Sequence, residues 1–116
     1  MKMVHITIHT DKAEEEIRFY EEAVGLKIVR DLRGTGADIV FLADAEGDTC
    51  IEIINDPNAG CAGNDHLSIG FKADDLDQLK SDLEAKGIET SPMISPNPHV
   101  RFFFVTDPAG MRVQFI

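Results

Sequence analysis

The segment Phe41-Leu-Ala-Asp-Ala-Glu-Gly47 returns as Phe104-Val-Thr-Asp-Pro-Ala-Gly110, at an offset of 63 positions. Gly25 and Gly87, each closing a helix-like stretch, lie 62 positions apart. Two correspondences at nearly one offset indicate an internal duplication. Two copies are too few for a solenoid, which needs about three repeats to be stable. The chain must therefore use one supersecondary unit twice, in a pseudo-symmetric arrangement.

Periodicity gives the order of elements within each copy. Residues 3–9 alternate, with Val4, Ile6 and Ile8 on one side and His5, Thr7 and His9 on the other, the pattern of a half-buried strand. Asp11-x-x-Glu14 has the form of a capping box. Ala13, Ile17, Tyr20 and Val24 recur at helical spacing, and Gly25 suits the left-handed residue beyond a helix end. A helix over 12–24 is predicted, followed by strands at 27–33, 38–43 and 49–55 with turn signals at 34–36 and 44–48. The second copy offers a strand at 66–72, then a helix opening at Asp74 or Asp75 with Leu76, Leu79 and Leu83 on one face. Strands at 88–91, 99–105 and 111–116 complete it.

Both copies read βαβββ. The expected fold class is α+β: two pseudo-symmetric βαβββ modules forming a cupped mixed β-sheet, a helix on the outside of each half, with Val4, Ile6, Leu67 and Ile69 beneath the helices. Module one spans 1–56, a linker 57–64 and module two 65–116, together one domain long enough to bury a core.

Charge narrows the partners. With 21 acidic residues against 11 basic, the net charge of −10 repels nucleic-acid phosphates and anionic membrane surfaces, so neither is expected as a partner. The first residues run directly into an alternating strand, with no apolar run long enough for a signal peptide or a membrane span, and a cytoplasmic protein is expected. Cys50 and Cys61 are read as reduced, Cys61 as a residue of the Gly-rich linker. The acidic run Glu14-Glu15-Glu16 is read as a solvated face near a helix N-terminus, where negative charge is favourable.

The paired βαβββ halves, the helix end Ile17-Arg-Phe-Tyr-Glu-Glu-Ala-Val-Gly-Leu26 and the Phe104–Gly110 turn before the last strand resemble the vicinal-oxygen-chelate superfamily. That family includes glyoxalases, extradiol dioxygenases and bleomycin-resistance proteins, and the resemblance covers essentially the whole chain. It implies metal ligands on the first and last strand of each half, where this sequence holds His5, Glu52, His66 and Gln114. His5 and His66 are 61 apart and Glu52 and Gln114 are 62 apart. A lone histidine on the polar side of a strand is usually a solvated imidazole. Glu52 differs, because its strand is otherwise apolar and a buried carboxylate costs several kcal/mol unless a cation or donors meet it.

The resemblance therefore implies one divalent metal, which this donor set leaves as Zn²⁺, Ni²⁺, Co²⁺, Fe²⁺ or Mn²⁺. By ligand pattern the chain is most similar to glyoxalase I, in which a metal binds the oxygens of a 2-oxoaldehyde thiohemiacetal while a carboxylate, here Glu52, removes the carbon-bound proton. Gln114 departs from the glutamate usual in that pattern and cannot accept a proton near neutral pH. A small-molecule substrate, a thiol adduct among the candidates, and a homodimer are implied. The alternatives are a metal-free drug-sequestering protein of the bleomycin-resistance type and a non-haem iron ring-cleaving dioxygenase, whose carboxylate normally lies in the last strand.

Further pocket residues follow from alternation. If Val100, Phe102 and Phe104 face the helix, then His99, Arg101 and Phe103 face the cup. There Arg101 would receive an anionic substrate group, with pairing to Asp38 the equally simple alternative. Thr7 and His9 share the face of His5.

Overall fold

In a computed structural model, which describes residues 1–60 and 64–116 but not the side chains of Asn64 and Asp65, the chain forms two compact units, Met1–Ala62 and Gly63–Ile116. Cys61 lies outside the described residues. The first unit runs β1 (His5–Thr10), α1 (Ala13–Phe19), β2 (Lys27–Asp31), β3 (Ile39–Ala43) and β4 (Cys50–Asn55). The second runs β5 (Asn64–Phe71), α2 (Leu76–Ala85), β6 (Ile94–Asn97), β7 (Val100–Thr106) and β8 (Met111–Phe115). Each is therefore a βαβββ module of α+β class.

The sheets have the same topology, β1-β4-β3-β2 and β5-β8-β7-β6. In each, the first strand pairs in parallel with the fourth and the other pairings are antiparallel. A right-handed helix joins the parallel pair's first strand to the rest and covers one face. On the helix side of the first sheet Ile8, Val40, Leu42, Ile51 and Ile53 are buried, as are Ile17 and Tyr20 of the helical segment. Under α2 lie Ile69, Phe103, Val105, Val113 and Phe115, with Leu83 of the helix 1% exposed.

The helix predicted over 12–24 is α1 continued by a π-helical turn at Tyr20–Val24, in which the Gly25 and Leu26 amides both donate to the Tyr20 carbonyl. Gly25 and Gly87 take φ of +84° and +80°, the left-handed conformation that a residue without Cβ adopts freely. The N-cap of α1 is Lys12, one residue beyond Asp11, without a side-chain cap of its own, and the Thr10 hydroxyl accepts from the Lys12 amide at 3.1 Å. Asp75 does cap α2, accepting from the Gln78 amide at 2.9 Å.

Other expectations are corrected. Glu16 is fully buried, because it shares the sheet-facing stripe of α1 with Ala13, Ile17 and Tyr20; only Glu14 and Glu15 are solvated. Residues 88–91 form no strand, and the sheet edge is instead β6. Thr90 is tied to Lys80 and Glu84 of α2, and Ser91 contributes only an isolated pair of hydrogen bonds to Phe104. Ile6 and Ile69 lie towards the helices as expected, but Val4 and Leu67 remain 59% and 60% exposed. Val4 precedes β1, and Leu67 falls in an irregular stretch of β5.

Candidate functional site

Glu52 sits in β4 between Ile51 and Ile53, both buried beneath α1, so alternation turns its carboxylate to the opposite face. The pairing register sets it between Thr7 of β1 and Phe41 of β3. There the Thr7 hydroxyl donates to Glu52 Oε2 at 2.6 Å, and His5 Nε2 lies 3.3 Å from the same oxygen. The Glu52 side chain keeps 12% exposure and that of His5 43%. An acid within an apolar strand is thus met by a hydroxyl and an imidazole, which answers its desolvation cost.

The spacing of this pair suits a shared divalent cation. Nitrogen and oxygen donors bound tetrahedrally at about 2.0–2.2 Å stand about 3.3 Å apart, the separation that His5 and Glu52 already have. The donor chemistry, neutral imidazole plus carboxylate, is that of zinc and other borderline metals. Among the described residues no three His, Cys, Asp or Glu side chains cluster at ligating range, so this unit supplies a pair rather than a complete set. His9 is remote from it, its Nδ1 lying 3.9 Å from Asp56 Oδ2.

Beside the pair is an open cavity of about 310 Å³ lined by Val4, His5, Val29, Arg30, Phe41 and Cys50, among others. The rings of His5 and Phe41 meet edge to face at 6.4 Å, and the Arg30 guanidinium lies 5.7 Å from the Phe41 centroid. Cys50 is a free thiol that donates to the Asp48 carbonyl.

In the second unit, Gln114 lies on the face turned away from α2, in register with Gly70 and Phe104. A Cβ on Gly70 would stand 3.6 Å from Gln114 Oε1, so glycine keeps the space beside the amide open. Register also revises the repeat. Matching Gln114 to Glu52 makes Gly70 the counterpart of Thr7 and Ser68, opposite Arg112, the counterpart of His5. His66 is exposed, within the irregular stretch between Asn64 and Ser68, and counting residues across that irregularity made it appear equivalent to His5.

Three pocket residues expected on this face are elsewhere. Phe103 is fully buried beneath α2, and Arg101, on the same side of β7, binds Asp77 of α2 at 2.6 and 3.2 Å. That bond holds the Asp77 carboxyl below its ordinary range and raises the guanidinium. Asp38, the other partner considered for Arg101, instead accepts from Asn55. His99 is exposed in the turn before β7, its amide donating to Asn97 Oδ1. The strand's facing is opposite to that predicted, so Phe102 and Phe104 are the residues turned away from α2, their rings 5.7 Å apart. Sequence reasoning missed Arg112, stacked over Phe104 at 4.1 Å; the repeat of Phe41 as Phe104 was the available signal.

Comparison with known proteins agrees with this architecture. An uncharacterised protein of Pseudomonas aeruginosa is 26% identical over 120 residues, spanning 97% of this chain and 86% of its own. The trypanothione-dependent glyoxalase I of Leishmania major superposes with a TM-score of 0.78 at 22% identity, covering 100% of this chain and 86% of that one. The fosfomycin resistance protein FosX of Listeria monocytogenes does so at 0.79 and 15% identity, covering 99% and 91%. At such identities the two structures establish a shared fold. Residues 2–115 match the family described as the Glyoxalase/Bleomycin resistance protein/Dioxygenase superfamily, and the chain belongs to it.

Proposed function

We propose that the protein is a divalent-metal-dependent, glyoxalase I-like lyase acting on the thiohemiacetal of a 2-oxoaldehyde. The observation that carries this reading is the His5–Glu52 pair, held at the separation of two ligands on one ion and steadied by Thr7. His66 and Gln114 are proposed as the remaining donors, in a homodimer where His5 and Glu52 of one chain meet His66 and Gln114 of the other. A cytoplasmic setting accords with a small-molecule thiol adduct as substrate.

When bound, the cation would supply Lewis acidity towards the substrate oxygens. The chain's own part is proton transfer. Oε2 of Glu52 is engaged by Thr7 and His5, which leaves Oε1 to take the carbon-bound proton and return it to the neighbouring carbon. Phe41, opposite Glu52 on β3, gives that carboxylate an apolar neighbour.

Elemental analysis of protein purified without a His tag, followed by methylglyoxal turnover with several thiols, tests the proposal. Stoichiometric metal and turnover that disappears in Glu52→Gln are expected. Metal binding without turnover of any thiohemiacetal would overturn the glyoxalase reading, and absence of metal affinity would overturn the metal reading.

A further inference from the structure

Arg112 is unused by the chemistry proposed above. It is half-buried on the open face of the second sheet, its guanidinium carbon 4.1 Å from the centre of the Phe104 ring. The chain has 21 acidic residues to 11 basic, and Arg33 and Arg101 each hold a carboxylate. Among the described residues Arg112 holds none. The aromatic ring occupies one face of the guanidinium, while its five N–H donors lie in the edge and need acceptors.

The neighbours keep that edge uncompensated. Ser68 is opposite Arg112 on β5, and Gly70, the next residue on that face, has no side chain. Gln114 shares the face of Arg112 two residues along β8, about 7 Å away. A glutamate at 114 would lie within ion-pairing reach and neutralise Arg112, whereas the amide leaves the charge available. The two halves of the duplication have thus diverged. His5, Thr7 and Glu52 form a cation-attracting group, and their register counterparts Ser68, Gly70 and Gln114 carry no charge beside an arginine.

We infer that Arg112, with the Ser68 hydroxyl beside it, is a binding site for a carboxylate group of the substrate. A planar carboxylate matches the guanidinium fork bidentately while Phe104 holds the guanidinium's face. Assigning this carboxylate to the substrate rests on the proposed lyase reading; the binding of an anion at Arg112 does not.

The test is an NMR titration of the full chain as purified, following the Arg112 Nε–Hε and Ser68 amide signals. Pyruvate serves as the carboxylate probe, pyruvamide as its neutral isostere and inorganic phosphate as the competing oxyanion. Saturable shifts with pyruvate and none with pyruvamide are expected. Arg112→Met, which keeps an apolar stem on Phe104, should bind pyruvate about 10- to 100-fold more weakly, the effect of losing one charge-assisted contact. Gln114→Glu should weaken it similarly by pairing with Arg112, and Arg112→Lys should retain part of the affinity. Undiminished binding in Arg112→Met, equal response to pyruvamide, or saturation by phosphate alone would overturn the assignment. Loss in Glu52→Gln but not in Arg112→Met would place the anion at the His5–Glu52 pair instead. Retained pyruvate binding in a protein without thiohemiacetal turnover would remove the lyase reading and leave this site standing.

Discussion

Replacing Thr7 with valine isolates the hydroxyl's share in orienting the Glu52 carboxylate. The two side chains have nearly the same shape, and Thr7 is solvent-exposed, so the substitution removes a donor without opening a cavity. What is lost is an O–H···O⁻ bond of 2.6 Å to Oε2 of a side chain only 12% exposed. Hydrogen bonds to charged groups contribute about 1.5–3 kcal/mol. Loss of a partner that orients a metal-bound carboxylate typically lowers metal affinity about 10- to 100-fold, which is about 1.4–2.7 kcal/mol. The two estimates agree, and Thr7→Val should weaken metal binding within that range. Isothermal titration with Co²⁺, paired with the visible absorption of the bound ion, measures it directly. Unchanged affinity in Thr7→Val, in a protein whose Glu52→Ala variant loses binding, would show that Thr7 does not position the ligand.

Phe103→Ala should destabilise the protein by about 3–5 kcal/mol in chemical denaturation, because this side chain has no exposure and packs against Phe115 at 5.4 Å between centroids. Arg101→Ala should leave metal affinity and turnover at wild-type values by titration and steady-state kinetics, since its guanidinium is committed to Asp77. Arg33 holds the Asp31 carboxyl down at about 2 through direct hydrogen bonds, so the associated stabilisation is present above the ordinary carboxylate range and is lost as pH falls towards 2. Carbon-13 NMR titration should show that midpoint, and Arg33→Ala should return it to about 3.9.

The element order was legible because strand and helix periods change sharply at Asp11, Gly25 and Gly87, and because the Asp-x-x-Gly turns are chemically self-sufficient. Asp107 shows this: buried, its Oδ1 accepts from the Ala109 and Met111 amides and fixes the turn into β8. Glu52 was legible because a carboxylate inside Cys50-Ile-Glu-Ile-Ile54 demands a partner. The facing of β7 was not, because Phe102-Phe103-Phe104-Val105 is apolar on both sides and alternation has nothing to read. The register of His66 escaped for another reason: an irregularity in β5 shifts the pairing without leaving a mark in composition. Glu16 was misread because a charged residue on a helix stripe looks solvated until the stripe's direction is known.

The parallel pairing of β1 with β4 bears on how the first unit assembles. The β2–β3 and β3–β4 neighbours are close along the chain and can zip through short turns, whereas Thr7 and Glu52 are 45 positions apart. Closing that longer loop carries the larger entropic cost, so the meander should form early and β1 should dock last. The imidazole and the carboxylate come together only in that final step. An ion caught between them would therefore act on the unfolding rate more than on the folding rate, like a clasp on a necklace already strung.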